Sequence, residues 1–150
     1  MIVESILRNN WLPAYVLLCI VVSAPVNDAV AETGRRATPE QVTRGAALYR
    51  THCTACHKAN GVGEAPIPWS IRRPGFVNAM PLDETSHAWH HGDRQLIAMI
   101  MDGTGNSRAR MPRWRGILTE KDAADLVGYI KNLWSDRIVA CQGPAHMSCM

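Results

Sequence analysis

The chain has 150 residues, with 16 Lys and Arg against 13 Asp and Glu, so its formal net charge is only +3. This length leaves room for one domain with one hydrophobic core and excludes a multidomain enzyme. The charge is too mild to indicate nucleic-acid binding, whereas a mildly basic surface suits a protein that docks on an acidic partner.

Residues 1–31 are typical of a secretory signal peptide. An apolar stretch from 12 to 22 follows Arg8 and is too short to span a membrane comfortably. An Ala-Val-Ala triplet then offers the small residues that a signal peptidase reads, so we expect cleavage before Glu32 and a periplasmic protein. An uncleaved membrane anchor is the alternative, because Glu4 cancels the positive charge of Arg8.

The first helix is predicted to begin after Thr38. Pro39 suits the first helical position, and Gln41 stands three residues after Thr38, as in a capping box. The helical pattern continues to about His52. We therefore expect the folded domain to start at Thr38, after a linker at 32–37.

The middle of the chain is predicted to be mostly irregular. The stretch from Asn60 to Pro81 inclusive contains four prolines and three glycines, which argues against a long helix or a central strand there. A short helix is expected from Asp93 to Asp102, with Asp93 as its N-cap and Gly103 as its stop.

The clearest helix of the chain follows Thr119, because Thr119 can cap it and two acidic residues favour its positively polarised end. Its apolar stripe has helical spacing: Ala123, Leu126, Val127, Ile130, Leu133 and Trp134. No strand pattern competes, so we predict an all-α fold. Three modest helices and two long loops do not close a core by themselves, which favours a large apolar cofactor in the middle.

Two cysteines and a histidine form the pattern C-x-x-C-H at the end of the first helix. Cys53 and Cys56 on one helical turn can form thioethers to the two vinyl groups of a haem, and His57 then offers its imidazole to the iron. A redox disulfide lacks its usual βαβ context here, and half of a zinc site lacks a second ligand pair. The pattern therefore predicts one covalently bound haem c.

The iron needs a further ligand opposite His57, and a thioether sulfur is the usual choice in an electron carrier. Met80 and Met111 each precede a proline. Met80 follows His57 closely and leaves little chain to cross the haem edge and return, whereas Met111 lies beyond the predicted short helix. We expect Met111 to be the axial ligand, with Met80 as the alternative.

The C-terminal tail, residues 135–150, contains further sulfur and imidazole groups. A disulfide between Cys141 and Cys149 is the main interpretation in an oxidising compartment. The alternative is a copper site, because copper(I) prefers thiolate, thioether and imidazole ligands. Its candidate ligands are Cys141, Cys149, His146, Met147 and Met150.

Three histidines, His87, His90 and His91, have a spacing that would place them on one side of a helix. We interpret them as polar surface; the alternatives are a metal site, a cover for the haem and a pH-sensitive contact. Three tryptophans flank the loops and are expected to pack on the haem: Trp69, Trp89 and Trp114.

The segments GAALYRTHCTACHKANGVG, MDGTGNSRARMPRW and DLVGYIKNLW, in this order, resemble a class I cytochrome c. The resemblance covers about residues 38–134. It implies a cytochrome c fold of three to five short helices around a single haem. It also implies an electron carrier, free or as a subunit of a redox complex, rather than an enzyme.

The same resemblance implies two packing contacts. The first and last helices would cross closely at Gly45 and Tyr129, with Tyr49 nearby. A proline carbonyl, from Pro66 or Pro68, would orient the imidazole of the haem histidine.

Four arginines bracket Met111 and would surround the haem edge if Met111 binds iron: Arg108, Arg110, Arg113 and Arg115. We expect them to dock an acidic redox partner; the alternative is ordinary solvated charge. Two other functions stay open: a haem enzyme or gas sensor with an open iron site, and a copper-handling protein that uses the tail.

Overall fold

The structure is a computed structural model that describes residues 32–73, 75–105 and 110–150. The predicted signal peptide at 1–31 and the docking candidate Arg108 lie outside these residues. No helix within the described ranges is long and apolar enough to cross a membrane.

Five α-helices and three 3-10 helices form the described part of the chain. The α-helices are α1 (Pro39–His52), α2 (Thr54–His57), α3 (Asp93–Asp102), α4 (Glu120–Asn132) and α5 (Asp136–Ala140). The 3-10 helices span Ala59–Gly61, Ala88–His90 and Gly143–Ser148. These residues contain no β-strand, only one isolated bridge between Arg115 and Leu118, so the predicted all-α class is confirmed.

The predicted N-caps of α1 and α4 are both confirmed, and each is a capping box. Thr38 accepts a hydrogen bond from the backbone N–H of Gln41, whose side chain accepts from the Thr38 backbone N–H. Thr119 and Asp122 repeat this exchange at the start of α4. Local sequence therefore defines where both long helices begin.

The N-cap of α3 differs from the prediction. Gly92 occupies the cap position, and Asp93 is the first helical residue. Only 2% of Asp93 is exposed, because its carboxylate pairs with the buried Lys131 ammonium at 3.0 Å. Gly103 ends this helix with φ +80°, as predicted.

The close crossing of α1 and α4 occurs at Gly45, as the family resemblance implied. A Cβ atom at Gly45 would overlap the backbone carbonyl of Asp125 and lie 2.9 Å from the Cβ of Tyr129. One turn along α1, the rings of Tyr49 and Tyr129 lie 4.9 Å apart between centroids. Only glycine therefore permits this helix separation.

The core lies between α1, α3, α4 and α5. The predicted apolar stripe of α4 is buried except at Leu133, which is half-buried. Its main partners come from the other elements: Tyr49, Trp89, Leu96, Ile100, Met101, Ile138 and Val139.

A buried polar cluster joins both ends of the described chain to the core. Lys131 is fully buried, and its ammonium also donates to the Glu32 carbonyl at 2.7 Å. Gln142 donates to the Asp93 carboxylate at 2.6 Å, and Arg36 donates to the carbonyl of Lys131 at 2.6 Å. The interval 32–37, expected to be a linker, is therefore held against the domain over most of its length.

The expected tail is also part of the fold. Ile138 and Val139 are buried in the core, and Cys141 is joined to Cys149 by a disulfide. The 3-10 helix Gly143–Ser148 packs against Ala88–His90. The residues after Trp134 consequently cover one side of the domain.

We predict that Gly45→Ala destabilises the protein by about 3 kcal/mol, because the added methyl group must push α4 away from α1. Urea unfolding followed by circular dichroism measures the change. Gly92→Ala is the matched control, because Gly92 has φ −71° and only Thr33 side-chain atoms within 4 Å of the new Cβ. The control should lose less than about 1 kcal/mol. Equal loss in both variants would contradict the close crossing.

Candidate functional site

The C-x-x-C-H segment occupies a single helical turn directly after α1. Cys53 is the C-cap of α1, and its carbonyl accepts hydrogen bonds from the backbone N–H groups of Cys56 and His57 at 3.2 and 2.8 Å. Both cysteines are unpaired and half-buried. The turn thus presents two sulfurs and one imidazole at the positions that the haem interpretation requires.

The electrostatics of Cys53 argue against a redox pair. Burial, followed by the neighbouring Cys56, raises the pKa of the Cys53 thiol to about 11. Catalytic dithiols need a lowered pKa that supplies thiolate at neutral pH. Within the described residues, no group of three or more His, Cys, Asp or Glu side chains is placed to hold a metal ion, so no partners complete a zinc site.

The imidazole of His57 is held by a backbone carbonyl. Its Nδ1 donates to the Met80 carbonyl at 2.9 Å, and because a carbonyl only accepts, Nδ1 must carry the proton. The Nε2 lone pair is then free for a metal. Burial is the main influence on the pKa of His57 and lowers it, which favours the neutral form that binds iron.

This contact corrects the predicted role of proline. Neither Pro66 nor Pro68 supplies the carbonyl; both are exposed farther out in the loop. The acceptor is the carbonyl of Met80, just before Pro81. The loop that follows His57 extends away from the imidazole ring and comes back to it at Met80.

Two glycines allow this return. Gly63 has φ +72°, and its N–H donates to the His57 carbonyl at 2.9 Å. A Cβ on Gly63 would lie 2.6 Å from the Pro81 nitrogen and 2.7 Å from the Ala79 carbonyl oxygen. Gly61, with φ +72°, accepts from the Leu82 N–H at 2.6 Å. The loop can therefore close on itself only with bare backbone at these positions.

The two candidate methionine ligands have different surroundings. Met80 is 45% exposed, and its backbone carbonyl accepts the hydrogen bond from His57 Nδ1. This nitrogen lies on the edge of the imidazole ring opposite to Nε2, where a metal would bind. Met111 is half-buried and packs against the core. This placement favours Met111 over Met80.

Two of the arginines predicted to dock a partner are already ion-paired. Arg110 pairs with Glu64, and its guanidinium lies 4.4 Å from the ring centroid of Phe76. Arg115 makes two hydrogen bonds to Asp102, at 2.7 and 2.9 Å. Sequence patterns did not indicate the pairing of Arg110 with Glu64, because nothing local links positions so far apart.

The three tryptophans lie in three different environments. Trp89 is a core residue with its ring edge-on to His90 at 4.2 Å. Trp114 is half-buried and contacts His52 at 5.1 Å between ring centroids. Trp69 is 86% exposed. Trp89 does not fit the expectation that all three tryptophans pack on the haem, because its ring contacts are with histidines.

The three neighbouring histidines pack against one another, and the ring of His90 also contacts the tail. The rings of His90 and His146 stack at 4.4 Å with an interplanar angle of 15°. His87 lies 5.6 Å from His91 between ring centroids. They pack mainly against one another, and the described residues hold no metal-binding group that includes them.

The tail lacks the thiolates that a copper(I) site would use, although one imidazole and two thioethers remain. Both of its cysteine sulfurs are in the disulfide, so neither is a thiolate. His146 Nδ1 donates to the Gly143 carbonyl at 2.7 Å, while Met147 and Met150 are 67% and 73% exposed. The geometry favours a pinned tail over a copper site.

Residues 40–130 match a protein-family model described as cytochrome C oxidase, cbb3-type, subunit III. The matched stretch runs from the first turn of α1 into the last turn of α4 and includes Cys53, Cys56, His57 and Met111. No curated protein and no solved structure matches the chain.

We predict that Gly63→Ala weakens the hydrogen bond between His57 and Met80 and destabilises the haem-loaded protein by about 3 kcal/mol, because it combines backbone strain with a steric clash. Gly105→Ala is the matched control: Gly105 also has a positive φ, +70°, but nothing lies within 4 Å of its new Cβ. The control isolates the backbone strain, at about 1 kcal/mol.

Urea unfolding gives the two free energies, and the proton resonance of His57 Nδ1 in the ferrous protein reports the hydrogen bond. If Gly63→Ala and Gly105→Ala lost equal stability and both kept that resonance, the role of Gly63 in positioning His57 would be refuted.

Proposed function

We propose, because the chain belongs to the c-type cytochrome family described as cytochrome C oxidase, cbb3-type, subunit III, that it is a periplasmic electron carrier with one covalently bound haem c. It acts alone or as the electron-carrying subunit of a larger redox complex. The observation that carries the proposal is the state of His57, whose Nδ1–H donates a hydrogen bond to the Met80 carbonyl while Nε2 stays free beside two unpaired cysteines.

Each functional residue has one task in this proposal. Cys53 and Cys56 would hold the haem through thioethers, and His57 and Met111 would be the two protein ligands of the iron. The haem supplies a reversible one-electron change between ferric and ferrous iron. Met111 offers a neutral soft sulfur, which favours the ferrous state and raises the reduction potential.

A carrier rather than a haem enzyme or gas sensor follows if both axial positions are filled by the protein. Enzymatic turnover or gas binding needs one open coordination position on the iron. Either function would therefore require that Met111 does not bind the iron. The half-buried position of Met111 against the core supports ligation.

Carbon monoxide tests this ligation. We expect the ferrous spectrum of the loaded wild-type protein to stay unchanged when carbon monoxide is added, because a protein ligand blocks the iron. Met111→Ala should bind carbon monoxide. Met80→Ala is the matched control and should not bind it, because this substitution keeps the backbone carbonyl that holds His57.

The outcomes separate the alternatives. Carbon monoxide binding by the wild-type protein would overturn the carrier proposal and favour catalysis or sensing. Binding by Met80→Ala but not by Met111→Ala would reverse the ligand assignment.

The partner of this carrier is an acidic redox protein. The surface of the carrier that docks this partner includes the exposed tip of the loop after His57. Trp69 is 86% exposed and Ile71 is 73% exposed, beside the exposed Arg72 and Arg73. Residues 65–82 contain no acidic side chain. Neither arginine forms an ion pair within the described residues, in contrast to Arg110 and Arg115. An apolar centre with unpaired cations complements an acidic surface.

We predict that the double variant Arg72→Glu with Arg73→Glu slows electron transfer to an acidic blue-copper protein about tenfold at low ionic strength. Stopped-flow mixing at several salt concentrations measures the rate and its salt dependence. Arg94→Glu with Arg137→Glu, on α3 and α5, changes the net charge equally and is the control. If both pairs slowed the reaction by the same factor, total charge and not the loop tip would set the rate.

A further inference from the structure

We infer that Glu64 and Arg110 form a positioning clamp that couples the segment holding His57 to the segment carrying Met111. The inference rests on the proposed ligation of iron by His57 and Met111. Arg110 directly precedes Met111 in the chain, and Glu64 belongs to the loop that returns to His57. The clamp is therefore a direct contact between the two ligand segments.

Arg110 makes three contacts with the loop of His57. Its guanidinium pairs with the Glu64 carboxylate, its Nε donates to the Val77 carbonyl at 3.3 Å, and its plane lies over the Phe76 ring at 4.4 Å. A planar guanidinium can make these contacts together, whereas a lysine ammonium cannot. The side chain beside Met111 is thus fixed on the opposite loop.

Glu64 connects Arg110 to the backbone next to Met80, the residue that holds His57. Its backbone N–H donates to the Ala79 carbonyl at 2.9 Å, and its carboxylate accepts from the Ala79 N–H at 2.9 Å. Both backbone polar groups of Ala79 are therefore held by Glu64. Ala79 directly precedes Met80, whose carbonyl accepts the hydrogen bond from His57 Nδ1.

The connection from Arg110 to His57 therefore has four consecutive steps: three hydrogen-bonded contacts and the covalent link from Ala79 to Met80. An isolated exposed ion pair contributes little to stability. This pair differs because one carboxylate oxygen of Glu64 accepts hydrogen bonds from both the Arg110 guanidinium and the Ala79 N–H. Loss of that oxygen would therefore remove the contact to the Met111 segment and the contact to the backbone before Met80 together.

Imidazole competition tests the clamp, because added imidazole replaces Met111 only when the Met111 segment moves away from the iron. We expect Glu64→Gln and Arg110→Lys each to raise the affinity of the ferric protein for imidazole about tenfold. The double variant should raise it no further, since either change alone opens the clamp.

Asp102→Asn is the matched control. It breaks the ion pair of Asp102 with Arg115, which is also exposed and lies near Met111 along the chain. Among the described residues, neither partner forms a hydrogen bond or an ion pair with the loop of His57. Its imidazole affinity should equal that of the wild-type protein. Equal affinities in Glu64→Gln, Arg110→Lys and Asp102→Asn would overturn the clamp.

A second readout reports the other ligand. In the ferrous protein, Arg110→Lys should accelerate the exchange of the His57 Nδ1 proton, although Arg110 does not touch His57. Unchanged exchange would refute coupling between the segments. Met111→Ala separates the clamp from the proposed function: it should show the highest imidazole affinity of all, and wild-type affinity in this variant would overturn the ligation and the clamp together.

Discussion

The close approach of α1 and α4 at Gly45 is the constraint on which the rest of the site depends. With no side chain at Gly45, the α4 backbone at Asp125 lies against α1, and the end of α1 is thereby fixed. Tyr49, one turn later, packs on Tyr129, and its hydroxyl donates to the Lys58 carbonyl at 2.9 Å. Lys58 is the residue directly after His57. One helix crossing therefore holds both the entry and the exit of the C-x-x-C-H turn, and the loops are arranged around that fixed turn.

Sequence patterns predicted the parts of this arrangement that local chemistry determines. The capping boxes at Thr38 and Thr119 are each complete within four residues, so the starts of α1 and α4 were predictable. Asp93 was assigned as a cap because its type and position suit one, but Lys131, far along the chain, pairs with it instead. The carbonyl that holds His57 could not be found for the same reason. It belongs to Met80 only because the loop closes over Gly63, and any residue type could supply that oxygen.

The buried pair of Lys131 and Asp93 extends the domain beyond the core helices. Burying both charges costs desolvation energy, and burial lowers the pKa of Lys131, but hydrogen bonds from its ammonium to Asp93 and the Glu32 carbonyl offset this cost. Gln142 from the tail completes the cluster. Both segments that the sequence indicated as peripheral are thus needed to satisfy one buried ion pair. Removing either would leave polar groups unpaired in the interior, which ties the ends of the domain to its stability.

The choice of a backbone carbonyl as the partner of His57 has its own consequence for function. A carboxylate in this place would draw the Nδ1 proton and give the ring anionic character, which stabilises ferric iron and lowers the reduction potential. The Met80 carbonyl is neutral and cannot take the Nδ1 proton, so that proton stays on the ring. In the proposed carrier, an imidazole held in this way would keep the same charge in both oxidation states. Small rearrangement between the two states is what a carrier needs to exchange electrons rapidly, and the contact between His57 and Met80 therefore suits electron transfer better than oxidative catalysis.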